Sequence, residues 1–153
     1  MNTQISPLHS YTPPSPDKLS EMLAQVRYDG AGLVSAIAQH YETHEVLMLA
    51  WMTQEALHET LTTGHLCYYS RSRQKLWRKG KTSGQFQYLV EARLDCDGDA
   101  LLFFVAPAGV ACHTGRRSCF YRAFTPQGLI TLTQPEKDPH ELYPNLAHSS
   151  TSP

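Results

Sequence analysis

The segment Asp95-Cys96-Asp97-Gly98-Asp99 sets three carboxylates at alternate positions with a thiol between the first two. Side chains alternate across an extended strand, so an extended reading points Asp95, Asp97 and Asp99 one way and Cys96 the other. One short segment then serves two metal sites. Carboxylates this close repel one another unless a cation neutralises them, and an all-oxygen donor set suits a hard ion, Mg²⁺ or a substitute such as Mn²⁺. An EF-hand loop does not fit: with Asp95 as its first position, Ala100 stands where Gly is needed and Ala106 where a bidentate Glu is needed. The plain alternative is a polar turn between two strands, with solvated aspartates and Gly98 at the bend.

A second cluster lies in Ala111-Cys112-His113-Thr114-Gly115-Arg116-Arg117-Ser118-Cys119. Its two thiols are too far apart for a CxxC knuckle, which excludes a zinc-finger pattern; two ordinary buried cysteines are the alternative. The loop between them is polar, as a site is and a core is not. Cys96, Cys112 and Cys119 together offer Zn²⁺ three thiolates and leave a fourth position open, the arrangement found where zinc is catalytic. Such a zinc lowers the pKa of a coordinated water toward about 7, and His113, beside Cys112, is the candidate for moving protons. The other histidines, among them His9, His140 and His148, are not bracketed by candidate ligands. Reversible Cys112–Cys119 disulfide chemistry is a redox alternative. Cys67 stands apart from these motifs and reads as a buried structural thiol.

Residues 71–81 hold six basic side chains and no acid, and Thr82-Ser83-Gly84 follow. Arg71, Arg73, Lys79, Arg116 and Arg117, with the hydroxyls of Thr82 and Ser83 and the pliant backbone of Gly84, can hold phosphate oxygens. Trp77 can stack on a heterocyclic base or belong to the core. A solvated basic loop is the plain reading of the strip. Neither GxxxxGK[ST] nor GxGxxG is present, which excludes the common nucleotide loops. A binding module for single-stranded nucleic acid would use the same strip and Trp77. The charge balance disfavours it, because residues 19–134 carry 11 basic and 10 acidic side chains.

These groups must be positioned by a small scaffold. The chain has 153 residues, 41% hydrophobic and 18% charged, enough for one domain with one core. Prolines crowd both ends, which predicts flexible tails over residues 1–18 and 135–153 and a folded domain over 19–134. No signal peptide and no apolar run of membrane length is visible, so the expectation is a cytoplasmic chain with reduced thiols, bound to neither membrane nor nucleic acid. Residues 33–39 and 46–51 read as paired strands around a polar loop at 40–44. Thr53 as N-cap, Glu55 in the first turn, Leu57 and Leu61 on one face and Gly64 at the end predict a helix over 54–63. Further strands are predicted at 66–70, 85–94, 100–105, 119–124 and 129–133. The fold class is α+β, a mostly antiparallel β-sheet with few helices.

Four motifs in one order carry a family resemblance: Ser70-Arg71-Ser72-Arg73; Leu76-Trp77-x-Lys79-Gly80-x-Thr82-Ser83-Gly84; Arg93 through Ala100; and Gly109 through Phe120. Over about residues 30–124 the chain resembles phosphoribosyl-AMP cyclohydrolase of histidine biosynthesis. The resemblance implies hydrolysis of a cyclic amidine in a phosphorylated nucleotide, the adenine ring of phosphoribosyl-AMP opening between N1 and C6. It also implies an intertwined homodimer, Mg²⁺ on Asp95, Asp97 and Asp99, and Zn²⁺ on Cys96, Cys112 and Cys119 shared between subunits. Too few residues follow Phe124 for the pyrophosphohydrolase domain sometimes fused to this family, so a monofunctional chain is expected.

Overall fold

The computed structural model describes residues 11–143. In chain order the elements are α1 (Pro16–Leu23), β1 (Val34–His40), β2 (Val46–Met52), α2 (Gln54–Thr63), β3 (Cys67–Ser70), β4 (Lys75–Arg78), β5 (Gln87–Leu94), β6 (Ala100–Pro107), β7 (Arg122–Thr125), β8 (Gly128–Thr131) and α3 (Pro139–Leu142). This is the expected α+β class. Six strands form one sheet in the order β4-β3-β2-β1-β6-β5, and β7 and β8 form a separate hairpin. All neighbours are antiparallel except β1 and β6. The sheet curls until its β5 edge meets the residues leading into β3: Leu66 N donates to Gln87 O, Leu89 N donates to Gly64 O, and His65 bridges Tyr88.

Alternation along the strands decides which face is core. Val34, Ala36 and Ala38 of β1 and Leu101, Phe103 and Val105 of β6 turn inward, with Leu89 of β5 beside them. The helix α2 covers this face with Ala56, Leu57 and Leu61. Its ends are as the sequence predicts: the Thr53 hydroxyl accepts the Ala56 N–H, and Gly64 takes the left-handed conformation at φ 77°. In the β1–β2 loop His44 adopts φ 65°, where a glycine is commoner, while Glu42 N and Thr43 N donate to His40 Nδ1.

Two expectations change. The N-terminal boundary drawn at residue 18 falls inside α1. Ser15 caps that helix by accepting the Lys18 N–H, Pro16 occupies the first turn, where its missing N–H costs nothing, and Leu19 and Leu23 are buried. Tyr11 also packs on the core and donates its hydroxyl to Leu61 O at 2.6 Å. Proline marks a helix start here. The basic stretch 71–81, read as a loop, contains β4, paired with β3 from Cys67↔Arg78 to Ser70↔Lys75. At the other end α3, which falls within the expected C-terminal tail, buries Leu142. His9, Leu146 and His148 lie outside the described residues. No helix among the described residues is long and apolar enough to cross a membrane.

Candidate functional site

The bulge in β2 starts the construction of the thiol site. Ala38 of β1 faces Met48 and Gln39 faces Val46, so Leu47 is the extra residue between them. Its carbonyl accepts the Cys119 N–H at 2.7 Å, and the Val46 carbonyl accepts the Ser118 hydroxyl at 2.7 Å. The C-terminal end of the thiol loop is thereby sewn to the sheet. Within the loop Ala111 N donates to Arg117 O, Cys112 N to Arg116 O and Gly115 N to Cys112 O, a tight turn that carries residues 112 and 119 toward each other.

Cys112 and Cys119 lie close enough for their thiols to influence one another. Hydrogen bonding from the neighbouring Cys119 thiol, against the cost of burial, holds the Cys112 thiol down at about 5; the Thr114 hydroxyl, 3.0 Å from Cys112 Sγ, and the nearby His113 act in the same direction. The same hydrogen bond, burial and the charge of Cys112 push Cys119 up. Two thiols on one tight turn, the first of them easily deprotonated, suit a soft cation. Cys112 is buried, whereas Cys119 and Cys96 are exposed, and Cys96 is not part of this pair. Among the described residues, Asp95, Asp97 and Asp99 are the one group of three possible ligands with donor atoms within 4.8 Å of one another. His113 is exposed on the turn beside Cys112. Cys67, as expected, is wholly buried, and burial together with the charge of Glu59 pushes its thiol up to about 12.

The three aspartates do converge, though by a turn and not by the alternation of an extended strand. Asp95 N donates to Ala100 O, Gly98 N donates to Asp95 O, and Gly98 sits at φ 80°. Asp95 Oδ1 accepts the N–H groups of Asp99 and Ala100 at 3.0 and 3.2 Å. These bonds outweigh desolvation and hold the Asp95 carboxyl below its ordinary value, whereas the neighbouring Asp97, through a hydrogen bond and its charge, pushes Asp99 up. Such mutual repulsion is what a hard cation would relieve, so the donor set fits Mg²⁺ as the thiol pair fits Zn²⁺. The turn rests on the chain leaving α1: Arg27 N donates to Gly98 O at 2.7 Å, and a Cβ on Gly98 would lie 2.8 Å from Gln25 O. A groove of about 590 Å³ on the outer sheet face runs from Asp95 past Leu102, Ile37 and Leu49 to Phe120, next to Cys119.

The structure divides the residues expected to bind phosphate. Arg71 and Arg73 are exposed at the β3–β4 turn, Arg71 with its guanidinium 4.7 Å from the Trp51 ring centroid. Lys81, Thr82, Ser83 and Gly84 lie beyond the other end of β4, a four-residue strand of about 13 Å at the usual rise. Trp77 on β4 is 37% exposed, so its ring is half available for stacking. Lys79 departs from the strip altogether: it is 3% exposed and its ammonium donates to Ala111 O at 2.8 Å. Arg117 is held by Glu45 and Glu136, with Nε and Nη1 each 2.6 Å from a carboxylate oxygen. Arg116 Nε donates to Thr133 O at 2.9 Å while its guanidinium covers the Tyr121 ring at 3.9 Å. Both arginines are thus engaged in holding their loop.

Sequence reasoning missed the fasteners. Gln85 accepts the Val110 N–H at 2.8 Å and donates to Ser83 O, and Ala108 N donates to Phe86 O. These bonds tie the 82–84 loop to the thiol loop. Residues 135–137, expected in the C-terminal tail, lie against the thiol loop instead: Glu136 N and Lys137 N both donate to Gly115 O. A polar residue such as Gln85 has no periodic signature, and only Gly115 hinted at a close approach. Gly115 adopts φ 85°, and a Cβ there would stand 1.9 Å from Lys137 O. Gly115→Ala is therefore expected to lower stability by about 1–3 kcal/mol from backbone strain alone and more from the clash, measured by urea unfolding. Unchanged stability would mean that the 135–137 strap does not press on the loop.

The model of one family, phosphoribosyl-AMP cyclohydrolase, matches residues 48–121, the stretch that contains the aspartate turn, the thiol loop and the basic hairpin. A phosphoribosyl-AMP cyclohydrolase of Gluconobacter oxydans is 60% identical over 134 residues, which are 88% of this chain and 85% of that protein. The chain belongs to the phosphoribosyl-AMP cyclohydrolase family. The protein of that name from Granulibacter bethesdensis is 62% identical over 126 residues, 82% of this chain and 98% of the relative. One from Alkalilimnicola ehrlichii is 58% identical over 125 residues, 82% and 88% of the respective chains. This family member is an enzyme, a hydrolase of histidine biosynthesis, and every fastener described above surrounds the two loops that carry its motifs.

Proposed function

We propose that the enzyme opens the adenine ring of phosphoribosyl-AMP at N1–C6, with the thiol loop as the chemical centre and the β3–β4 hairpin and its flanks as the substrate seat. The observation that carries this reading is the thiol loop, which turns Cys112 and Cys119 toward each other and is tied through Gln85 and Lys79 to the loop that follows the basic hairpin. Cys112 and Cys119 would hold Zn²⁺, with Cys96 from a second copy of this chain as a third thiolate. Asp95, Asp97 and Asp99 would hold Mg²⁺. Bound at the thiols, zinc supplies a Lewis acid that makes a coordinated water acidic near neutral pH. The exposed apolar β7–β8 hairpin, with Phe124 at 92% and Leu129 and Ile130 at 50% and 43% exposure, supports a homodimer as the working form.

In the reaction, water adds at C6 of a purine already electron-poor because N1 carries a ribosyl group. The N1–C6 bond breaks with its electron pair on N1, which takes up a proton, while C6 becomes a carboxamide carbonyl and its hydroxyl proton is released. His113, exposed beside the thiols, is placed to carry that proton. Arg71 and Arg73 at one end of β4, and Lys81 with Thr82, Ser83 and Gly84 at the other, suit a substrate with two separate phosphates. Trp77 lies between them for stacking.

Ring opening followed by ultraviolet absorbance on metal-replete protein tests the reading. Turnover that is lost with a chelator and restored by zinc is the expected result. Inertness of the metal-replete protein toward phosphoribosyl-AMP, or turnover indifferent to metal, would overturn it.

A further inference from the structure

Lys79 is the one buried charged side chain among the described residues. Its surroundings pose a physical question, because a buried ammonium is costly unless it is paired and hydrogen-bonded. Among the described residues no carboxylate lies within 4.0 Å of it. One N–H is used on Ala111 O, one residue before Cys112, and the ammonium sits 5.4 Å from the Trp77 ring centroid. Burial pulls its pKa below the ordinary lysine value, and charge on Cys119 and Cys112, where they are ionised, acts the other way. The backbone fixes this placement from both sides. Lys79 N donates to Leu66 O, and Gly80 at φ 93° leaves no room for a Cβ against the Phe86 backbone at 2.6 Å. Close by lies a polar floor of buried groups, the Tyr68 hydroxyl on Gln87 Oε1 and Gln87 Nε2 on Met48 Sδ. None of these is an anion.

We propose that Lys79 is a positioning residue of the thiol centre: its fixed charge is the counter-ion of the Cys112 and Cys119 thiolates, and its hydrogen bond to Ala111 O sets the loop that presents them. This rests on the reading of the thiols as a zinc site. Three thiolates exceed the charge of Zn²⁺ by one unit, and a cation held beside Cys112 by the Ala111 carbonyl offsets that excess. A basic residue in the midst of a phosphate-binding strip thus serves the metal centre instead of the phosphate. The consequence is a division of labour along one segment, with the exposed cations toward substrate and the buried one toward the thiols.

The test uses the full-length protein and zinc itself as the probe, with zinc affinity read by competition against a chromophoric chelator. Lys79→Met keeps the apolar stem and removes charge and donor; a loss of about 10–100-fold in zinc affinity is expected, with the melting temperature of the zinc-free protein unchanged or raised. Lys79→Gln keeps a donor for Ala111 O without the charge, and is expected to lose affinity as Lys79→Met does. Wild-type zinc affinity in both variants would overturn the proposal, and in Lys79→Gln alone would reduce Lys79 to a loop clamp. Failure of both variants to fold without zinc would overturn it as well, by assigning Lys79 to the fold. If the wild-type protein itself binds no zinc, it is the underlying reading that fails, and the variants then have nothing to lose.

Discussion

Replacing Cys112 or Cys119 by alanine is expected to strip the protein of zinc and to lower turnover of phosphoribosyl-AMP by about 10³-fold or more. Either change removes half of a pair that the fold constructs: the bulge at Leu47 holds Cys119 by its N–H, and the Thr114 hydroxyl donates to Cys112. A single thiolate of this loop with Cys96 binds zinc far less tightly than the pair, since each lost ligand must be replaced by water. The folded state should survive, because neither sulfur belongs to the main hydrophobic cluster. Metal content by elemental analysis, circular dichroism and the absorbance assay together check the expectation. A Cys112→Ala or Cys119→Ala protein with full zinc and full activity would remove the thiol centre from the mechanism.

The second large effect belongs to His113. His113→Ala is expected to lower kcat by about 10²–10⁴ while zinc content stays at the wild-type level. The physical ground is position. The imidazole is exposed on the turn between Cys112 and Thr114, where it can exchange protons with both solvent and a reacting group above the thiols. It has no fastening duty comparable to that of Arg117, which bridges Glu45 and Glu136. Loss of zinc in His113→Ala would instead place the residue among the ligands or their supports, and unchanged kcat would leave proton transfer to another group.

How much of this was legible in advance varies residue by residue. The helix 54–63 was readable because its cap, its apolar face and its terminal glycine are all local. The strands 34–40 and 46–52 were readable for the same reason, as consecutive apolar runs around a polar loop. The helix at Pro16–Leu23 carried an equally local signal, Ser15-Pro16-Asp17 ahead of Leu19 and Leu23, but it was hidden by prolines that read as a tail. Strand β4 was hidden by its charge, since Lys75 and Arg78 lie on a sheet edge, where basic side chains are tolerated.

At the candidate site the sequence by itself determined the chemistry: which residues can ligate hard and soft cations, which can carry protons or phosphate, and which family the motifs resemble. Donor type is a property of the side chain and survives without coordinates. The tertiary structure decided who meets whom. It brings Cys112 to Cys119 across a turn and leaves Cys96 apart. It gathers the aspartates by a bend where alternation along a strand was expected, and it sends Arg117 to two carboxylates and Lys79 to the Ala111 carbonyl. Those outcomes depend on a bulge at Leu47, a glycine at 115 pressed by residue 137, and a strand within a basic run, each of which joins segments distant in sequence. Non-local hydrogen bonds and close approaches leave no periodic trace in the chain that makes them, which is why the types of the site residues were foreseen and their partners were not.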